Sequence, residues 1–153
     1  MSDPITFDSA TPRFSLPLLY AGQSQKELFV NEGFYLADAL MHCAIESERA
    51  SPPANPLDGQ TWAVATGASG AWAGQSGKLA CHQGGQWIFV LPADGMAILN
   101  KATGQNIRRV GGTWQAPTAP AQPSGGTVID TQARESLNLL LQKLRDAGIF
   151  ATE

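Results

Sequence analysis

Charge is scarce in this chain: 15% of its 153 residues are charged and the formal net charge is −3. A basic footprint for nucleic acid is missing, so no nucleic-acid partner is expected. No apolar run approaches the roughly 18 residues of a membrane span, so no membrane insertion is expected. The opening Met1-Ser2-Asp3-Pro4 carries neither a basic stretch nor an apolar run, so no secretory signal is expected.

Cysteine and histidine are equally sparse, at two each. Two cysteines, Cys43 and Cys81, make no disulfide framework. His42-Cys43 and Cys81-His82 are adjacent pairs. Neighbours on a helix diverge by about 100° and neighbours on a strand face opposite ways, so neither pair converges readily on one zinc ion. No nucleophile-elbow string is present, and a histidine-based triad would have two residues to choose from. Asp58, Asp94 and Glu32 are the carboxylates a glycoside-cleaving pair would draw on, and their spacing gives no support for one. Gly77-Lys78 ends a Gly-rich loop, but Trp72 stands where a phosphate loop needs its first glycine and Leu79 where it needs Ser or Thr. No catalytic residue, cofactor or metal is expected.

What the chain has in quantity is glycine, proline and tryptophan placed at intervals. Gly70-Ala71-Trp72, Gly85-Gln86-Trp87 and Gly112-Thr113-Trp114 share one frame, and Trp62 follows Gly59 at one residue's longer spacing. A glycine that accepts positive φ turns the chain, and the aromatic that opens the next strand fills the space beneath the turn. The pattern predicts strands at about 61–66, 78–82, 86–91, 96–100 and 106–111. Gln83-Gly84-Gly85, Asp94-Gly95 and, more loosely, Lys101–Gly104 are the expected hairpin turns.

On either side of this module lie helical signals. Residues 1–20 hold Pro4, Pro12 and Pro17 among apolar residues, which predicts an extended arm that lies on its own module or docks on a neighbour. Ser24-Gln25-Lys26-Glu27 fits a capping box that opens a helix running to the Ser51-Pro52-Pro53 stop. Its apolar positions form a stripe broader than one packed face needs. Asn31 within it is expected to bond a nearby loop carbonyl, and Cys43 to be a small core residue of the helix. Residues 117–129 read as a Pro/Gly linker. A final helix over 130–149 begins at the N-cap Asp130, stops at Gly148, and carries Ala133, Leu137, Leu140, Leu141 and Leu144 on one face. The expected fold class is α+β: an N-terminal helix on a small antiparallel β module (21–116), the linker, and an amphipathic C-terminal helix.

Three blocks carry a family resemblance. They are Leu16-Pro17…Ala21-Gly22-Gln23-Ser24-Gln25-Lys26-Glu27…Asn31-Glu32, Pro52-Pro53…Gly67-Ala68-Ser69-Gly70-Ala71-Trp72-Ala73-Gly74, and Gly84-Gly85-Gln86-Trp87-Ile88-Phe89…Pro92…Gly95. Together they resemble a domain of unknown function (DUF2793-like) of alphaproteobacterial prophages and gene transfer agents. The resemblance implies a non-enzymatic virion structural protein, a fibre or spike base or adaptor subunit, made in the bacterial host cytoplasm. Its expected partners are itself, as a homotrimer or a higher ring, and other virion proteins. Leu137, Leu140, Leu141, Leu144, Phe14 and Leu18 are the candidate oligomer and partner contacts. The alternative is a carbohydrate-binding module for host surface glycan, with Trp72, in its long loop of small residues, and Trp87 as candidate stacking faces.

Overall fold

The computed structural model describes residues 9–19, 22, 26–128 and 130–152. The first eight residues of the expected arm, and Ser24 and Gln25 of the expected capping box, lie outside the described residues. The chain is α+β, and its described residues form two compact units that divide between Pro92 and Ala93. The single β module of the sequence reading is therefore two structures.

In the first unit, helix α1 spans Lys26–Leu40 and is followed by two short strands, β1 (Ala44–Ile45) and β2 (Glu48–Arg49). Strands β3 (Thr61–Val64), β4 (Leu79–Gln83) and β5 (Gln86–Val90) complete a sheet of order β2-β3-β4-β5. β2 runs parallel to β3, with Glu48 opposite Ala63, so the sheet is mixed rather than purely antiparallel. β4 and β5 are a two-residue hairpin closed by Gln83 and Gln86. Gly84 and Gly85 both sit at positive φ, 56° and 74°, which is what that turn demands.

The helix ends twelve residues before the first of the prolines that the sequence marks as its stop, and the cause is tertiary. Asp38 is fully buried, and its carboxylate accepts from the Thr11 hydroxyl at 2.7 Å and from the backbone amides of Arg13 and Phe14 at 3.1 and 2.7 Å. In return the Arg13 guanidinium donates to the carbonyls of Asp38, Ala39 and His42 at 2.6, 2.9 and 2.9 Å. The carbonyls of Asp38 and Ala39 are among the unsatisfied C-terminal acceptors of the helix, and that of His42 lies in the turn just beyond it. With them occupied, the chain leaves the helix through His42 at φ 46°. Cys43 is buried, as expected, but lies beyond the helix rather than in it. Asn31 does what the sequence suggests and more: its amide accepts from Leu19 N at 2.8 Å and donates to Leu19 O at 3.0 Å. Residues 11–19 of the arm thus lie on their own helix.

The sheet has two packed faces. On one, Trp62, Val64, Trp72 and Ala80 form a buried cluster, with Ala68, Trp87 and Phe89 packed against it. The indoles of Trp62, Trp72 and Trp87 meet at centroid distances of 5.1 to 6.2 Å, two of the three contacts edge-on. That geometry suits the aromatic quadrupole. A 3₁₀ turn at Gly70–Trp72 drops Trp72 into this cluster. By strand alternation Thr61, Leu79 and Cys81 take the other face, where Ile88 meets α1.

In the second unit, β6 (Ala97–Asn100), β7 (Gln105–Val110) and β8 (Thr113–Gln115) form an antiparallel meander. Lys101–Gly104 joins β6 to β7 as expected. Asp94-Gly95 joins no hairpin, because β5 pairs with β4 and β6 with β7. Asp94 instead accepts from the amides of Gly111 and Gly112, at 2.9 and 3.0 Å, in the β7–β8 turn.

Helix α2 spans Thr131–Asp146, and the Asp130 side chain caps it by accepting from Ala133 N at 2.9 Å. It stops in a Schellman motif. Gly148 N donates to Arg145 O and Ile149 N to Leu144 O, with Gly148 at φ 71°. The end of the helix is fastened to the meander: Asn106 N donates to Gly148 O at 2.7 Å and Thr152 N to Thr103 O at 3.1 Å. A Cβ on Gly148 would lie 3.1 Å from the Gly104 carbonyl oxygen, so the site needs glycine for space as well as for φ.

Two outcomes follow from the first unit. Asp38→Ala leaves three donors without their acceptor and is expected to lower stability by about 2–4 kcal/mol, read as a shift of the urea midpoint. A loss below about 0.5 kcal/mol would contradict the clamp. Burial first, and the neighbouring Cys81 second, push the Cys43 thiol from its ordinary 9.0 up to about 11, against a lowering by Arg13. The unfolded thiol ionises first, so stability present below pH 9 is expected to fall as pH rises from 9 towards 11. Cys43→Ser should flatten that limb of the urea-midpoint profile, and an unchanged slope would contradict the assignment.

Candidate interaction surfaces

The apolar surface these elements leave uncovered is concentrated on the two helices. On α2, Leu137 is 49% and Leu140 54% exposed, Leu144 is half-buried and Leu141 is buried within the chain's own unit. Leu139, which lies off the predicted stripe, is exposed as well. Leu137, Leu140, Leu141 and Leu144 line an apolar groove of about 350 Å³ together with Pro120 and Pro123. The Pro/Gly segment therefore runs beside the helix it precedes. Arg134 fastens it there by donating to the Gly125 carbonyl. Of the four predicted leucines, Leu137 and Leu140 are exposed, Leu144 is half-buried and Leu141 is buried.

The arm residues separate in the same way. Leu18 is 9% exposed, and its amide donates to Ser9 O at 3.1 Å. It is covered by its own chain, which corrects its expected role as a partner contact. Phe14 is exposed, with its ring 6.2 Å from His42 and the Arg13 guanidinium 5.1 Å from its centroid.

The predicted glycan face is corrected more sharply. Trp72 is 0% exposed, because its small-residue loop folds the indole inward between Trp62 and Trp87. It cannot stack on a sugar without unfolding the cluster. Trp87 is half-buried, its ring held by Trp62, Trp72 and His82. Trp114 lies under the Arg109 guanidinium at 5.6 Å. The shared Gly-x-Trp frame opens strands at Trp87 and Trp114, but Gly70-Ala71-Trp72 is a 3₁₀ turn that opens none, and the frame is silent on which ring faces out.

One polar pair accompanies the hairpin. His82 Nδ1 lies 2.8 Å from Asp58 Oδ1, and that oxygen accepts from Gly85 N at 3.3 Å. Gly59 N donates to His82 O and His82 N to Gln60 O, so the 57–60 turn and the β4–β5 hairpin hold each other. These contacts are structural: they fix the turn that carries Trp87.

A second apolar surface, part of the stripe that is broader than one packed face needs, lies on the first two turns of α1. Leu28, Phe29 and Val30 are all exposed, Phe29 by 75%. Leu28 also lines a groove of about 430 Å³ with Asn31, Glu32, Tyr35 and Ile88. Three consecutive exposed apolar residues on a helix cover about 200° of its circumference, more than a single neighbour in the same fold would use.

No curated protein matches the chain. The sequence model of a family described as "Protein of unknown function (DUF2793)" matches residues 30–115, from the middle of α1 to the end of β8. That match covers more than half of the 153 residues, and the chain belongs to the DUF2793 family.

Proposed function

We propose that the chain is a structural subunit of a phage or gene-transfer-agent particle, a fibre or spike base or adaptor, and acts by association rather than catalysis. The observation that carries the reading is the leucine face of α2. The helix is capped at both ends and fastened to β7, yet Leu137 and Leu140 on that face remain about half exposed. A helix so firmly placed does not need those leucines for its own docking, and leaving them half exposed forgoes roughly 1 kcal/mol of burial each. Association of copies along this face, in a trimer or a larger closed ring, recovers that burial and leaves the first unit as the body of the subunit. The resemblance of the 16–95 blocks to prophage and gene-transfer-agent proteins supplies the particle as the setting. The exposed apolar turns of α1 are then the natural contact for a neighbouring virion protein.

Leu137→Asp with Leu144→Asp tests this. Neither side chain belongs to the first unit, so the tryptophan emission of the Trp62–Trp72–Trp87 cluster should be unchanged. The solution mass by light scattering should fall below that of the parent chain. An unchanged assembly mass would contradict α2 as the associating face.

A further inference from the structure

Strand β5 is one edge of the sheet β2-β3-β4-β5, and its register says which backbone groups face away from the fold. In a two-residue hairpin the closing pair, Gln83 and Gln86, exchanges both backbone hydrogen bonds, and bonded pairs then alternate. Ile88 and Val90 therefore bond Cys81 and Leu79, while Trp87 and Phe89 do not bond β4. The other side of β4 agrees: His82, the partner of Trp87, spends its amide on Gln60 O and its carbonyl on Gly59 N. The N–H and C=O of Trp87 and Phe89 thus point outward, and among the described residues no backbone group bonds them.

The two edges of this sheet differ in kind. β2 is two residues long and both are charged, Glu48 and Arg49. Shortness and charge are how proteins blunt an edge. β5 is five residues without charge, proline or glycine, and exposed Leu91 follows it. A blunt edge and an open edge do not make a head-to-tail partner for each other, so continued sheet growth through β2 is disfavoured.

We propose that β5 pairs antiparallel with β5 of a second copy, across a two-fold axis at Ile88. Outward groups at 87 and 89, symmetric about 88, are self-complementary under that axis. Trp87 exchanges both backbone bonds with Phe89 of the second copy, and Phe89 with its Trp87, giving four bonds and no buried charge. The contact lies in the first unit and α2 in the second, so it is independent of the leucine face proposed above. It adds a two-fold axis to any ring that α2 builds, and the copy number of the assembly is therefore even.

The test is residue-resolved amide hydrogen exchange on the full chain, at low and high concentration. The Leu137→Asp, Leu144→Asp chain is run alongside the parent, so that association through α2 is removed. In both chains Ile88 and Val90 should be protected at every concentration. Trp87 and Phe89 should exchange freely when dilute and slow by about tenfold or more when concentrated. Gln86→Lys with Leu91→Lys puts positive charge at exposed positions along the very edge that the two copies would join, the way natural edges are blunted. It should abolish the slowing at 87 and 89 while leaving 88 and 90 protected. The proposal is overturned if Trp87 and Phe89 exchange freely at all concentrations. It is equally overturned if their protection is independent of concentration, or if the lysine pair leaves the slowing intact. Free exchange at 87 and 89 together with a parent mass that falls on the leucine substitutions would sink the strand contact and leave the α2 reading standing.

Discussion

A buried carboxylate with no water to solvate it must find donors, and Asp38 finds them in the segment that precedes its own helix. Its contacts with Thr11, Arg13 and Phe14 fold the 11–19 segment back, and the Arg13 guanidinium then closes the helix carbonyls. Removing either half strands polar groups in the other, which is why the exchange is cooperative. The short strands that follow Leu40 depend on this termination. If α1 ran on to the prolines, Ala44–Ile45 and Glu48–Arg49 would be helical, and β3 would lose the neighbour that accepts from Ala63 and Ala65.

On the far side of the sheet the constraint is apolar. Three indoles packed edge to face around Val64 and Ala80 make a core from few residues, and the glycine turns exist to deliver those rings. Such a core suits a chain with little charge. The second unit works differently, through backbone ties between Gly148, Asn106 and Thr103 that hold a helix at its C-terminal end. The result is a helix whose orientation is fixed while its leucine face stays open.

How much of this was legible in the sequence depended on the range of the forces involved. The five longer strands and α2 with both caps follow from turn glycines, alternation and Asp130, all of which act within a few residues. The end of α1 did not, because its cause is Arg13, some 25 residues upstream, and a Pro-Pro pair downstream is the louder local signal. β1 and β2 are two residues each, and β2 pairs in parallel at long range, with no turn to announce it. β8 was hidden by its length of three residues, although Gly111-Gly112 marks its hairpin. Among the candidate contacts, Leu137, Leu140 and Phe14 are open, while Leu18, Leu141 and Trp72 are claimed by their own chain. Helical and strand periodicity show that a face is apolar; they do not show what covers it. Phe29 and Leu139 were missed for the same reason from the other direction.

The proposed role places these open faces in a particle. It is tested most directly by purifying phage-like particles from a producing culture on a density gradient and quantifying this chain by mass spectrometry against a labelled standard. The chain should travel with the DNA-containing particles at a fixed number of copies per particle that survives a salt wash. Recovery of the chain wholly in the soluble fraction, with none in washed particles, would contradict it.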